Sequence, residues 1–137
     1  MALFDGNVFG HLRVTRAVLP YMRDKRSGII AFIGSAVGFF PIPMNGVYGA
    51  AKFALAGISQ TLAQEVAHLG IEVTIIEPGV FRTKGLENFS PLPTSIADYD
   101  HVKATFQDFL KTAFSVPPSG TLNAVFPAKG AQAIVEP

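Results

Sequence analysis

The apolar positions of the chain fall into runs with two different periods. Val8, Leu12, Leu19 and Met22 lie near one face of a 3.6-residue repeat, and polar residues followed by Ser27-Gly28 close the stretch. That spacing predicts a first helix from Asn7 to about Met22. "GIIAFIG" (28–34) is short, continuous, rich in β-branched and aromatic residues and bounded by glycines, which predicts a strand covered on both faces. Tyr48, Ala51, Leu55, Ile58, Leu62, Val66 and Leu69 recur at spacings of three and four, and Gly70 follows as a stop signal. This is a second helix. "IEVTIIEPG" (71–79) is a second apolar strand, ended by Pro78 and Gly79.

Strand, helix of about twenty residues and strand make a βαβ unit with parallel strands, so the fold class is α/β. Residues 83–98 are rich in turn formers and prolines, and 98–114 return to a helical pattern through Val102, Phe106, Phe109, Leu110 and Ala113. "SVPPSG" then breaks it, and Pro127 stands at a plausible helix start. Two parallel strands of buried type do not complete a sheet, because each leaves an edge of unpaired backbone groups. The pattern therefore reads as the second half of a larger α/β domain, and the chain as a truncated form.

Composition narrows the function classes. The chain has 137 residues, 49% of them hydrophobic and 15% charged, which fits a globular domain rather than a disordered tail. The net charge is +1, and the densest basic stretch, Arg23 to Arg26, sits where the first helix ends and faces the helix dipole. No nucleic-acid partner is expected on that footprint. There is no cysteine, which excludes disulfides and thiolate chemistry and fits a reducing compartment, with the cytoplasm the expected location. Neither a signal peptide nor a membrane span is visible, so no membrane partner is expected. His11, His68 and His101 are scattered and form no i, i+4 metal pair, which points to surface or packing roles.

Candidate chemistry gathers where the strands end. Ligands of open parallel sheets bind at the carboxyl ends of the strands. Ser35 lies just beyond the first strand, Pro78-Gly79 close the second, and Tyr48 and Lys52 share a helical face near the start of the intervening helix. A phenol titrates near pH ~10 and a nearby ammonium favours its ionised form. Lys52 is placed to supply that charge. Tyr48 can then exchange a proton with an alcohol or ketone oxygen, and the Ser35 hydroxyl can hydrogen-bond the same oxygen as charge develops. No side chain carries hydride, so oxidation or reduction requires an organic cofactor. Taken singly, each residue has a plainer reading: Tyr48 and Lys52 as a helix face, Ser35 as a turn former or helix cap, Asn7 as the N-cap of the first helix, Pro78-Gly79 as a turn and Thr83 as a loop hydroxyl.

"NVFG" at 7–10, "GIIAFIGS" ending in Ser35, "YGAAK" with Tyr48 and Lys52, and "PGVFRT" at 78–83 occur in the order and spacing of one family. Over essentially the whole chain, and most strongly through residue 84, the sequence resembles the second half of a short-chain dehydrogenase/reductase. The resemblance implies a partial Rossmann-like, doubly wound sheet and an NAD(P)-dependent interconversion of a small-molecule alcohol and ketone. It implies a catalytic set of Asn7, Ser35, Tyr48 and Lys52, with Tyr48 as general acid/base. Lys52 would also hold the nicotinamide ribose, and Asn7 would support a water-linked proton relay to it. Pro78, Gly79, Val80 and Thr83 would contact the nicotinamide, Val80 through its backbone and Thr83 through its hydroxyl.

The same resemblance divides a single domain, 1–137, into a catalytic core segment, 1–83, and a substrate-lid and C-terminal helical segment, 84–137. The lid is expected over 84–115, with Phe89, Tyr99, Phe106 and Phe109 as apolar lining. It also implies a homo-oligomer or another association through helices 7–25 and 48–69. One part of the family pattern is not present: no glycine-rich turn follows a strand, so the NAD or NADP site is expected on the nicotinamide side only, without its pyrophosphate cradle and adenine pocket. The alternative expectation is a catalytically inactive fragment that acts by associating with a partner.

Overall fold

The computed structural model describes residues 2–80 and 96–115. The chain divides into two units, Met1–Pro78 and Gly79–Pro137. The first unit begins with a helical run made of α1 (Ala2–Phe4), a π-helical turn (Asp5–Phe9) and α2 (Gly10–Lys25). It continues through β1 (Gly28–Ile33), a 3₁₀ turn (Ala36–Gly38), α3 (Gly46–Val66), a second 3₁₀ turn (Ala67–Leu69) and β2 (Ile71–Ile76). β1 and β2 pair in parallel, in a register running from Gly28 opposite Ile71 to Ile33 opposite Ile76. The expected strand, helix, strand unit is therefore present, and the fold class is α/β.

The core forms where α3 meets one face of this sheet. Ile30 and Phe32 of β1, Leu55 and Val66 of α3, and Ile71 of β2 are buried together, with Leu19, Met22, Leu62 and Val73 packed around them. The spacing of three and four in α3 is what brings Lys52, Leu55, Ala56 and Ser59 onto its buried side. Two turns bring the helices back to the strands. Arg26 ends α2 in the left-handed region, with Ser27 donating its N–H to the Met22 carbonyl, and Arg23 and Lys25 stand in the last turn as the charge pattern predicted.

Gly70 turns the chain into β2 at φ +71°, and a Cβ there would lie 2.4 Å from the Arg26 carbonyl oxygen. Only glycine fits both the conformation and the gap. Gly70→Ala is accordingly expected to lower stability by about 1 to 3 kcal/mol, measured by urea unfolding against wild type.

Two sequence expectations are corrected. β1 is not covered on both faces among the described residues: Ile30 and Phe32 are buried, but Ile29 and Ile33 are 68% and 46% exposed. α2 and α3 lie on one side only, so strand burial alternates. The first helix does not start at Asn7. The helical run begins at Ala2, and Asn7 lies within its π turn rather than capping it.

In the second unit, a 3₁₀ turn (Ala97–Tyr99) leads into α4 (Asp100–Ser115), matching the helical pattern expected at 98–114. Phe106 is buried and its ring stacks on Phe109 at 6.5 Å between centroids, whereas Tyr99 and Phe109 are exposed. Phe89 lies outside the described residues. No described helix is long and apolar enough to cross a membrane.

Candidate active site

The carboxyl ends of the two strands hold Ser35 in a defined place. Gly34 donates its N–H to the Ile76 carbonyl at 2.7 Å, one step past the ladder, and Ala36 donates to the Pro78 carbonyl at 3.0 Å. Ser35 lies between these two ties in extended backbone, φ −169° and ψ 153°, before the 3₁₀ turn. Its carbonyl accepts the Gly38 N–H at 2.7 Å, but its side chain caps nothing. The helix-cap reading of Ser35 is thereby corrected. Among the described residues no hydrogen bond engages the Ser35 or the Tyr48 hydroxyl.

The turn after Ser35 packs on the first half of α3. A Cβ on Gly49 would stand 3.8 Å from the Val37 carbonyl oxygen, and one on Gly38 would stand 3.2 Å from that of Lys52. The stretch of α3 that carries Tyr48 and Lys52 is thus set beside the Ser35 turn. Lys52 is only 6% exposed and donates from Nζ to the Ile33 carbonyl at 3.0 Å, across the end of β1. The same Nζ lies 5.6 Å from the centroid of the half-buried Tyr48 ring, within cation–π range. Burial pushes the Lys52 ammonium below its ordinary value. Among the described residues no ion pair includes it. Its compensation is the carbonyl dipole and the ring.

Asn7 is presented differently from the sequence expectation. The π turn is closed by the Gly10 N–H donating to the Asp5 carbonyl, and Asn7 Nδ2 donates to the Leu3 carbonyl at 3.0 Å. Single π turns inside helices recur at functional sites, because they redirect side chains that regular winding would not present. The turn packs against α3, the helix that bears Tyr48 and Lys52. Of the remaining candidates, Pro78 supplies the carbonyl that ties Ala36, while Gly79 and Val80 belong to the second unit. Thr83 lies outside the described residues.

Two polar groups near these elements lay outside the catalytic set expected from the sequence. Glu77 has a buried Oε1 and His11 a buried Nδ1, each without a hydrogen-bond partner. The His11 ring lies 6.0 Å from that of Phe32, in the packing role foreseen for it. A signal for Glu77 was available: it is the sole acidic residue between the apolar run of β2 and the Pro-Gly that ends it.

Comparison with known proteins gives the family and the fold. The short chain dehydrogenase family model matches residues 1–94. The chain is 36% identical over 110 residues to Oxidoreductase BOA17 of Botryotinia fuckeliana, an alignment covering 80% of this chain and 40% of that protein. A short-chain dehydrogenase from Streptomyces avermitilis superimposes with a TM-score of 0.74 at 36% identity, covering 96% of this chain and 46% of that one. L-sorbose reductase from Gluconobacter frateurii, solved in complex with NADPH and L-sorbose, gives a TM-score of 0.68 at 25% identity, over 94% of this chain and 47% of its own. The chain thus spans about half the length, or less, of these relatives. On the family match and the shared fold, the chain belongs to the short-chain dehydrogenases.

Proposed function

We propose that this chain carries the proton-transfer half of an NAD(P)-dependent oxidoreductase that interconverts a small-molecule ketone and its alcohol. The observation that carries the reading is Lys52, an almost fully buried amine anchored on the Ile33 carbonyl with its Nζ beside the Tyr48 ring. In the reductive direction, Tyr48 donates its phenolic proton to the carbonyl oxygen as negative charge develops there. The Ser35 hydroxyl, unengaged among the described residues, donates a hydrogen bond to the same oxygen. The Lys52 ammonium stabilises the phenolate that remains, and Asn7, on the π turn packed against α3, links Lys52 to water.

The nicotinamide nucleotide supplies the hydride when bound. The donor set fits the nicotinamide side of such a group. Lys52 commits one N–H to Ile33 and keeps two for ribose hydroxyls. Tyr48, Pro78, Gly79, Val80 and Thr83 complete the candidate contacts. The glycine spacing G-x-x-x-G-x-G that would cradle a pyrophosphate is not found in the sequence of these 137 residues. Phe39, Phe40 and Met44, between the Ser35 turn and α3, are exposed apolar side chains and favour a substrate with an apolar body. The test is oxidation of NADPH or NADH by the purified chain over a panel of ketones, with Tyr48→Phe alongside.

A second reading is an inactive chain that works by association. Two observations favour it: the exposed Ile29 and Ile33 on the uncovered face of β1, and an open groove of ≈ 510 Å³ between α2 and α3 lined by Leu12, Leu19, Ile58 and Leu62. The groove supports association, including self-association, through helices 7–25 and 48–69. Turnover that depends on Tyr48 separates the first reading from the second.

A further inference from the structure

Glu77, just beyond β2, has no task in the reaction outlined above, yet its side chain reaches the end of β1. A Cβ built on Gly34 would lie 2.8 Å from Glu77 Cγ, and one on Gly38 would lie 3.1 Å from Glu77 Oε1. Glu77 therefore occupies space that only two glycines leave open. Those glycines bracket Ser35. Gly34 precedes it, and Gly38 closes its turn through the 2.7 Å bond to the Ser35 carbonyl.

Although Glu77 as a whole is only partly buried, Oε1 is buried without a partner, and burial pushes the carboxyl above its ordinary value. Among the described residues no hydrogen bond or ion pair offsets a negative charge on that oxygen. Residues 28–45, which include Gly34 and Gly38, contain no ionisable side chain. From α3 the titratable groups on this side are Tyr48 and Lys52, and the Lys52 ammonium donates one N–H to the Ile33 carbonyl. Among the described residues no ion pair includes Glu77.

We propose that Glu77 is a positioning residue for Ser35: its side chain, seated between Gly34 and Gly38, fixes the turn that presents the Ser35 hydroxyl. Ionisation of the carboxyl loosens that turn. The folded chain holds this proton more tightly than the unfolded chain does. The stabilisation is therefore complete below the ordinary glutamate value of ~4.3 and is lost as pH rises through the folded value. The inference rests on the reading of Ser35 as part of the reaction site.

The experiment is a pH titration of the full chain by ¹H–¹⁵N and carboxyl-detected NMR, with Glu77→Gln and Glu77→Ala as companions and thermal unfolding over the same range. In wild type, the Ala36 and Gly38 amides are expected to shift together with Glu77 Cδ, at a midpoint above ~4.3. In Glu77→Gln these amides should stay at their low-pH positions throughout, and the thermal midpoint should lose the decline expected of wild type as pH rises above the ordinary glutamate value. In Glu77→Ala they should be displaced at every pH. A Glu77 Cδ that titrates at the ordinary value, turn amides that do not follow it, or a Gln variant indistinguishable from Ala overturns the proposal. None of these readouts needs turnover. Unchanged ketone reduction in Ser35→Ala would instead remove Ser35 from the reaction and leave the coupling of Glu77 to the turn intact.

Discussion

Replacing Tyr48 by phenylalanine is expected to lower NAD(P)H-dependent ketone reduction about 10²- to 10⁴-fold, the range attached to a positioned acid/base group. Phenylalanine keeps the ring that lies 5.6 Å from Lys52 Nζ and removes only the hydroxyl. That hydroxyl is in no hydrogen bond among the described residues, and the side chain is half-buried. Its loss should therefore leave the unfolding midpoint close to wild type. Nucleotide affinity should change far less than turnover. Steady-state kinetics beside thermal unfolding measure both, and a variant that turns over as wild type does would remove Tyr48 from the proton transfer.

Lys52→Met is expected to be nearly as damaging to turnover, again about 10²-fold or more, with a different effect on stability. Lys52 is a buried amine whose ionised form burial disfavours, so in the neutral range the folded chain bears a desolvation cost that methionine does not. Against this, the variant leaves the Ile33 carbonyl without its donor, a loss of about 1 kcal/mol. The two oppose each other, and the unfolding midpoint should move little. The sign can be read from pH. The folded value of Lys52 lies below the unfolded one, so wild type gains on the variant as pH rises through the folded value. A large fall in the midpoint at neutral pH together with retained turnover would show a structural amine and no more.

How much of this was legible in the sequence depended on how local the signal was. The spacing of three and four from Tyr48 to Leu69 encodes a helix directly, and α3 carries Tyr48 and Lys52 as that spacing required. The parallel pairing followed from two apolar runs joined by a helix. The coverage of β1 was not legible. A continuous apolar run signals two buried faces only when elements cover both, and here, among the described residues, helices cover one. The π turn at Asp5–Phe9 was equally hidden, since an inserted residue changes the winding without changing composition, and Asn7 read as a cap. Ser35 could be placed at the strand end, but that its side chain caps nothing is a matter of backbone geometry. Glu77 was missed for another reason. Its partners, Gly34 and Gly38, are about forty residues away, and glycine announces a close approach only once the fold shows what approaches it.

The most direct test of the central claim is a titration of the purified chain with NADPH and with NADH, following nucleotide fluorescence on a sample shown to be folded by circular dichroism. A saturable change with at least one of the two, weakened in Lys52→Met, is the result expected of a chain that holds the nicotinamide side of the site. No change in nucleotide fluorescence with either, from folded protein, would contradict it and leave Ser35, Tyr48 and Lys52 without the hydride carrier that their arrangement requires.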